Sequence, residues 1–161
     1  MIRTAWVGAL AFLADRISKQ LVVEWLEPES SVVIWKNVFS LTYTQNTGAA
    51  FSILADRTWL LIAFSAVALV VMTEALRRAL HNTPLRNVLL WLLMAGGLGN
   101  LADRLLFGYV VDFFNIQILH FPIFNVADIC LTIAAVFLIV ALLRNPEEAR
   151  EPKKASEEHA A

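Results

Sequence analysis

The sequence predicts an α-helical integral membrane protein with four transmembrane helices and short strands in an outer loop. Three observations support this fold class: long apolar segments, an uneven distribution of Lys and Arg around them, and an alternating pattern in one loop. Of the 161 residues, 58% are hydrophobic and 17% are charged, and the mean hydropathy is +0.63. Soluble domains contain about 45–50% apolar and about 25% charged residues, so the composition favours a membrane protein.

Three segments are long and apolar enough to cross a bilayer, which needs about 20 helical residues. They are Thr58–Leu76, Asn87–Leu106 and Val126–Leu143. A fourth segment, Thr4–Leu26, has the right length but carries Asp15, Arg16 and Lys19 near its middle. It begins like a signal peptide, with Arg3 before an apolar run. No A-x-A cleavage site follows that run, so we interpret the segment as a retained span.

The basic residues predict that both ends of the chain face the cytoplasm, because Lys and Arg are enriched in cytoplasmic loops. The predicted inner side holds Arg3, Arg77, Arg78, Arg86, Arg144, Arg150, Lys153 and Lys154. The predicted outer loops are poor in basic residues: 27–57 contains only Lys36 and Arg57, and 107–125 contains none.

We expect one membrane domain, 1–145, followed by a polar, Pro-containing tail, 146–161, that is disordered. The extracytoplasmic loop, 27–57, contains β-branched and aromatic residues that partly alternate over Val32–Thr44. This pattern predicts short strands. The sequence NTG that begins at Asn46 predicts a turn after them.

Charge and cysteine usage exclude several classes of function. The net charge is −1 and there is no basic block that could bind phosphates, so we expect no nucleic-acid partner. The single cysteine, Cys130, excludes an internal disulfide framework and a CxxC metal site. The three histidines are too scattered along the chain for a zinc cluster. We therefore expect no metal site.

Charged side chains at membrane depth are costly, so each has a structural and a functional interpretation. Asp15 and Lys19 are four residues apart on one helix face. They can form an ion pair that neutralises itself. Alternatively, they position a neighbouring element near a functional site.

A second polar group lies in the third span, where Gly96, Asn100 and Asp103 share one helix face. Gly96 allows another helix or a ligand to approach, and Asn100 offers donors and acceptors. The structural alternative is a small-residue helix interface with a polar side chain in it. Asp103 is expected to form a local salt-bridged anchor with Arg104, although Arg104 could instead reach outward to a carbonyl or phosphate group.

Asp112 and Asp128 lie in an apolar stretch that contains no Lys or Arg. In one straight helix they would be about 24 Å apart, but Gly108 and Pro122 interrupt the helix and allow the chain to turn back. Two neighbouring carboxylates at the membrane boundary do not both ionise easily, so one stays protonated while the other is charged. Such a pair can activate water and polarise a carbonyl, as an aspartic protease does. The alternative is that each Asp caps a helix.

Five motifs resemble those of the bacterial lipoprotein signal peptidase family (signal peptidase II, or prolipoprotein signal peptidase). They are DRISK (Asp15–Lys19), NTGAAF (Asn46–Phe51), GGLGNLADR (Gly96–Arg104), GYVVDF (Gly108–Phe113) and FNVAD (Phe124–Asp128). Each motif alone is weak, but together, in the family's order, they are highly specific and span nearly the whole chain apart from the tail. Ser18 replaces the usual Thr and Ala134 stands where Gly is expected; neither touches the expected chemistry.

The resemblance implies an aspartic endopeptidase of the bacterial plasma membrane, with four transmembrane helices, a small extracytoplasmic β-sheet and a short outer helix. It implies diacylglyceryl-modified prolipoproteins as substrates, cleaved on the N-terminal side of the modified cysteine. It also implies contact with membrane lipids and no cofactor, and a monomer is the simplest assembly. The implied catalytic residues are Asp112 and Asp128; the implied substrate-binding or site-lining residues are Asn46, Gly96, Asn100, Arg104 and Asn125; the implied supporting residues are Asp15, Lys19 and Asp103.

Two other classes of protein could also carry buried acids or a small-residue helix interface. A small transporter or proton-conducting subunit would use its buried acids as a relay, with the acids at staggered depths through the bilayer. The predicted clustering of Asp103, Asp112 and Asp128 at one face disfavours this class. A membrane scaffold would explain helix packing through Gly96–Gly99 but not the paired outer acids.

Overall fold

The computed structural model describes residues 2–26, 30–48, 57–80, 83–119 and 121–144. Within them the chain forms four long helices and one three-stranded antiparallel sheet. In chain order these elements are α1 (Ala5–Trp25), β1 (Ser31–Trp35), β2 (Phe39–Asn46), α2 (Thr58–Ala79), α3 (Pro84–Phe107), β3 (Val110–Ile116) and α4 (Val126–Arg144). The prediction of a helical membrane fold with a small sheet is confirmed.

Besides the helices and strands, the fold contains two short 3-10 turns among the described residues. Single 3-10 turns precede α1 at Ile2–Thr4 and follow β3 at Gln117–Leu119. The tail that we expect to be disordered, 146–161, lies outside the described residues.

Each predicted span corresponds to one long helix. α2, α3 and α4 extend beyond the predicted bounds by one to three residues at an end, whereas α1 is one residue shorter at each end than predicted. Among the described residues, three helices (α2, α3 and α4) are long and apolar enough to cross a membrane. The fourth, α1, has 21 residues and packs against α3 and α4. Its residues Asp15 and Lys19 are buried in that contact, which explains how a helix with charges at its centre joins the bundle.

A cluster of buried aliphatic residues packs α2, α3 and α4 against one another. Its buried members are Leu76, Ala79, Leu89, Leu90, Leu93, Ala134, Leu138 and Ala141. The outward faces of the same helices are also apolar; Val70 and Val136, for example, are 70% and 51% exposed. A helix that is apolar on all sides is typical of a membrane span, so these outward faces are suited to contact lipid.

The sheet has the order β1-β2-β3, and it packs on the end of α1. The sequence predicted strands in the region of β1 and β2 but missed β3, because its run VVDFFNI is almost continuously apolar and carries no alternation. Val111 and Phe113 of β3 pack with Val22 of α1 and Tyr43 of β2. The sheet is therefore fixed to the helical bundle through its third strand.

Two local features lead the chain from the end of α3 through β3 to the start of α4. Gly108 ends α3 with a φ of 82°, a left-handed conformation that glycine adopts without strain. After β3, Phe124 forms an isolated antiparallel bridge with Phe114. Asn125 and the first turn of α4 consequently lie beside β3. The predicted fold-back of the stretch between Gly108 and Asp128 is confirmed.

The helix contact between α3 and α4 depends on Gly96. A Cβ atom at this position would lie 2.5 Å from the Ala127 carbonyl oxygen of α4 and 3.2 Å from the Cys130 Cβ. This is the small-residue helix interface that the sequence offered as the structural alternative. At the neighbouring Gly97, a Cβ would meet only the flexible end of the Leu69 side chain.

We therefore predict that Gly96→Ala destabilises the protein by roughly 1–3 kcal/mol, since the added methyl group forces two helix backbones apart. Gly97→Ala is the matched control, because Leu69 can move away. The thermal unfolding midpoint of both variants, purified in detergent, measures the difference. Equal midpoints for the two variants would contradict this account of the α3–α4 contact.

Candidate active site

Asn125 brings Asp112 and Asp128 together. Its side-chain nitrogen, Nδ2, donates to Asp112 Oδ1 at 2.6 Å, and its backbone N–H donates to Asp128 Oδ2 at 3.2 Å. Asn125 is completely buried. One residue therefore contacts both carboxylates, although they come from β3 and from α4.

Asp128 is held by the start of α4. The Asn125 side-chain oxygen accepts from the Asp128 backbone N–H at 3.0 Å, while the Asp128 carboxylate accepts from the Asn125 backbone N–H. This reciprocal pair is a capping box, with Asn125 at the N-cap and Asp128 three residues later. Asp128 can therefore cap α4 and still lie beside Asp112 as a member of the acid pair. For Asp112, the capping alternative is wrong, because this residue lies within β3.

Asp112 is fixed by β2 as well as by Asn125. It pairs with Thr44 in the sheet, and its Oδ2 accepts from Asn46 Nδ2 at 2.8 Å. The Asn46 side-chain oxygen in turn accepts from the Gly48 backbone N–H at 3.0 Å. This bond confirms the predicted turn at Asn46 and fixes which end of the amide faces Asp112.

The surroundings of Asp112 favour its protonated form. Asp112 is 2% exposed, and burial, together with the charge of Asp128, raises the pKa of Asp112 to about 7. Hydrogen bonds from Asn46 and Asn125, and the charge of Lys19, act in the opposite direction. Near neutral pH, Asp112 can therefore hold or release a proton, which is the condition that general acid–base chemistry requires.

Asn100 connects Asp128 to a buried lysine. Its Nδ2 donates to Asp128 Oδ1 at 2.7 Å. Its side-chain oxygen accepts from Lys19 Nζ at 2.9 Å and from Asn125 Nδ2 at 3.2 Å. Both oxygens of Asp128 consequently receive hydrogen bonds, one from Asn100 and one from the backbone of Asn125.

Behind Asn100 lies a buried ion cluster formed by Asp15, Arg16, Lys19 and Asp103. Lys19 Nζ is 3.0 Å from Asp15 Oδ2 and 2.8 Å from Asp103 Oδ2, and Arg16 contacts both acids. The predicted ion pair of Asp15 and Lys19 is confirmed, but it is half of a larger cluster. Arg16 was not among the predicted site residues, although it stands beside Asp15 in the first motif.

The predicted anchor between Asp103 and Arg104 is wrong. Asp103 faces α1 and pairs with Arg16 and Lys19. Arg104 points elsewhere, and its Nη2 donates to the Gly48 carbonyl oxygen at 3.1 Å. Neighbours in sequence lie on different faces of a helix, so Asp103 and Arg104 serve different contacts. The contact supports the alternative interpretation, in which Arg104 reaches a carbonyl group.

The ion cluster also holds α4 in place. Asp15 Oδ1 accepts from the Ala127 backbone N–H in the first turn of α4 at 3.0 Å. Helices begin with backbone N–H groups that have no partner within the helix, and here a side chain from α1 provides one. The ion pair of Asp15 and Lys19 is therefore accompanied by a contact that holds a neighbouring element, the start of α4.

The structure thus brings nine of the ten predicted site residues into one hydrogen-bonded network around Asp112 and Asp128, or into direct contact with its members. The tenth, Gly96, packs against the backbone of α4. Among the described residues, no group of three His, Cys, Asp or Glu side chains could hold a metal ion. The reactive groups that the described part of the chain assembles here are the two carboxylates.

A bundle of apolar helices with two carboxylates held by one asparagine, at the junction with a small sheet, defines a candidate aspartic peptidase of the membrane. The chain matches the family described as "Signal peptidase (SPase) II" over residues 7–144 and belongs to that family of aspartic peptidases. It is 41% identical over 159 residues to the lipoprotein signal peptidase of Actinobacillus succinogenes, covering 95% of this chain and 94% of the relative. It is 39% identical over 144 residues to that of Lactiplantibacillus plantarum, covering 87% and 96%.

Solved structures agree with this assignment. A structure described as a bacterial membrane enzyme determined by the in meso method at 2.3 Å resolution superposes with a TM-score of 0.80 and 28% identity, covering 97% of this chain and 96% of the other. A second bacterial membrane enzyme, at 1.9 Å resolution, gives a TM-score of 0.77 and 30% identity, with coverages of 90% and 95%. The chain is therefore a bacterial membrane protein of the signal peptidase II family.

The raised pKa of Asp112 predicts a specific pH dependence of stability. Between pH 3.8 and about 7, the folded protein keeps a proton on Asp112 that the unfolded chain releases. The free energy of unfolding due to this group therefore falls as the pH rises through this window. Asp112→Asn removes the ionisable group. The free energy of unfolding of this variant should therefore fall less as the pH rises through the same window.

Thermal unfolding in detergent between about pH 4 and pH 7 measures this effect. Glu74→Gln is the matched control, because Glu74 is an exposed carboxylate on α2 that pairs with Arg78. The account of Asp112 is contradicted if Asp112→Asn and the unmodified protein show the same change of midpoint with pH.

Proposed function

We propose that this protein is a lipoprotein signal peptidase that removes the signal peptide of prolipoproteins by cutting on the N-terminal side of a diacylglyceryl-modified cysteine. The observation that carries the proposal is the pairing of Asp112 and Asp128 through Asn125. Membership of the signal peptidase II family and the names of the relatives support the choice of substrate.

In the proposed mechanism, Asp112 and Asp128 are the catalytic residues and share one proton. The ionised member takes a proton from a water molecule, and the water oxygen attacks the carbonyl carbon that precedes the modified cysteine. The protonated member donates a hydrogen bond to the carbonyl oxygen as negative charge develops there. The carbon–nitrogen bond then breaks, and the cysteine amine leaves with a proton from the pair.

The remaining network residues are proposed to orient this chemistry. Asn46 and Asn125 hold Asp112, and Asn100 holds Asp128. Arg104 holds the chain after β2 through the Gly48 carbonyl. Fixed carboxylates reduce the entropic part of the barrier, because little reorientation is needed at the moment of reaction.

The proposed orientation places the sheet and the two carboxylates at the extracytoplasmic face, with both termini in the cytoplasm. The distribution of Lys and Arg supports it. The signal helix of the substrate would lie among the spans, with the lipid chains in the bilayer. One chain supplies both carboxylates, so a monomer is proposed to be sufficient for activity.

We predict that Asp112→Asn and Asp128→Asn each reduce cleavage of a lipidated prolipoprotein by a factor of about 10³ or more, since either change removes one member of the acid–base pair. The assay is release of the signal peptide by detergent-purified full-length protein. Glu74→Gln, the exposed carboxylate on α2, is expected to retain full activity. Full activity of both Asp variants would rule out the pair as the catalytic centre.

A second prediction concerns the orientation. Lys36 lies in the turn between β1 and β2, Arg78 lies in the last turn of α2, and both are exposed. In a Cys130→Ala background, Lys36→Cys should react with a membrane-impermeant maleimide added to intact spheroplasts. Arg78→Cys should react only after the membrane is opened. The reverse pattern would overturn the proposed orientation.

A further inference from the structure

Lys19 is a buried cation that lies close to the proposed catalytic pair without contacting it. It is 3% exposed. Its Nζ lies 2.9 Å from the side-chain oxygen of Asn100 and 2.8 Å from Asp103 Oδ2. A buried ammonium is costly unless it is paired and hydrogen-bonded, and here its partners are two acids and one neutral amide. The amide is the contact that leads toward Asp128.

The chemistry of the groups fixes the direction of this connection. An ammonium can only donate hydrogen bonds, so the atom of Asn100 that meets Lys19 is the carbonyl oxygen. The NH₂ group of Asn100 therefore faces Asp128 Oδ1, at 2.7 Å. An NH₂ group can only donate, so Oδ1 of Asp128 is held as an acceptor. Removal of Lys19 would leave the Asn100 amide free of its only cationic partner among the described contacts.

Asp112 also receives two hydrogen bonds, but neither of its donors contacts a cation. Its donors are the amides of Asn46 and Asn125, whose orientations are set by the backbone N–H groups of Gly48 and Asp128. One of the two donors to Asp128, the Asn100 amide, is instead polarised by the Lys19 ammonium, and polarised donors bind charged acceptors more strongly. The network thus favours a negative charge on Asp128 over one on Asp112.

We propose that Lys19 is a positioning residue that acts through the Asn100 amide and makes Asp128, rather than Asp112, the ionised member of the pair. This inference rests on the proposed function. Under it, Asp128 takes the proton from water and Asp112 holds the proton that faces the substrate carbonyl. Lys19 touches neither substrate nor the reacting atoms.

Other charged and titratable groups lie around Lys19, Asn100 and Asp128. Asp15 and Arg16 lie on α1, Asp103 and Arg104 on α3, Asp112 on β3 and Cys130 on α4. Arg16 is the informative comparison, because it carries the same charge in the same cluster and contacts the same two acids as Lys19. The contacts described for Arg16 do not include Asn100.

The experiment measures kcat and KM for a lipidated prolipoprotein as a function of pH, with Lys19→Met, Lys19→Gln and Arg16→Met in the full-length protein. Lys19→Met should lower kcat by about tenfold to a hundredfold and move the acidic limb of the kcat/KM profile upward by about one pH unit. KM should change little. Lys19→Gln also removes the positive charge, so it should move the acidic limb in the same way. Because Gln can still donate a hydrogen bond to Asn100, this variant should lose less kcat than Lys19→Met.

Arg16→Met removes one positive charge from the same cluster and is expected to leave the acidic limb in place. Thermal unfolding midpoints of all three variants show which are folded; if Lys19→Met does not fold, Lys19→Gln carries the test. The proposal is overturned if the folded Lys19 variant leaves the limb unmoved, or if Arg16→Met shifts it equally, which would indicate a general effect of cluster charge.

Failure of this inference can be distinguished from failure of the proposed function. If Asp112→Asn and Asp128→Asn both abolish cleavage while Lys19 and Arg16 variants behave alike, only the role of Lys19 is wrong. If both Asp variants retain cleavage, the catalytic pair itself is wrong.

Discussion

A carboxylate that is buried inside a membrane protein must receive hydrogen bonds from the protein, because an unpaired buried charge is very costly. The structure meets this requirement for two carboxylates with one residue, Asn125. Its amide and its backbone N–H donate to Asp112 and Asp128, and its side-chain oxygen begins α4. The sheet, the last helix and the acid pair therefore share one connection.

The same requirement explains the ion cluster between α1 and α3. Asp15 and Asp103 are both 1% exposed, and each is neutralised by Arg16 and Lys19. A Cβ at Gly99 would lie 2.7 Å from Asp15 Oδ2, so α3 leaves room for this carboxylate by carrying a glycine. The resulting contact extends to α4 through the Ala127 N–H. Polar contacts, and not only apolar packing, thus fix the position of three helices.

Much of the fold could be predicted because hydrophobicity alone marks the three apolar spans. The fold-back before α4 was also accessible, since Gly108 and Pro122 interrupt the chain. β3 was missed because a strand that is buried along most of its length loses its alternating pattern and looks like part of a helix. The partner of Asp103 was predicted wrongly for a different reason: its contacts with Arg16 and Lys19 join residues more than 80 positions apart, and local spacing carries no information about them.

The network also bears on the competing class of protein. A proton relay across a membrane requires acids at a series of depths, whereas here Asp15, Asp103, Asp112 and Asp128 all belong to one set of connected contacts at the start of α4. A scaffold protein would need the glycine contacts but not the acid pair. Motif resemblance identified Asn125 as a site residue, but only the structure reveals it as the common partner of both acids.

The capping box at Asn125 has a consequence for biosynthesis. Asp112 is translated before the last helix, whereas Asp128 lies in its first turn and takes its place only when α4 has begun beside α1 and α3. A nascent chain whose last helix has not yet packed has one carboxylate and no second one within reach. On the proposed function, the acid pair is therefore complete only when α4 has packed, so the step that completes the fold also completes the site.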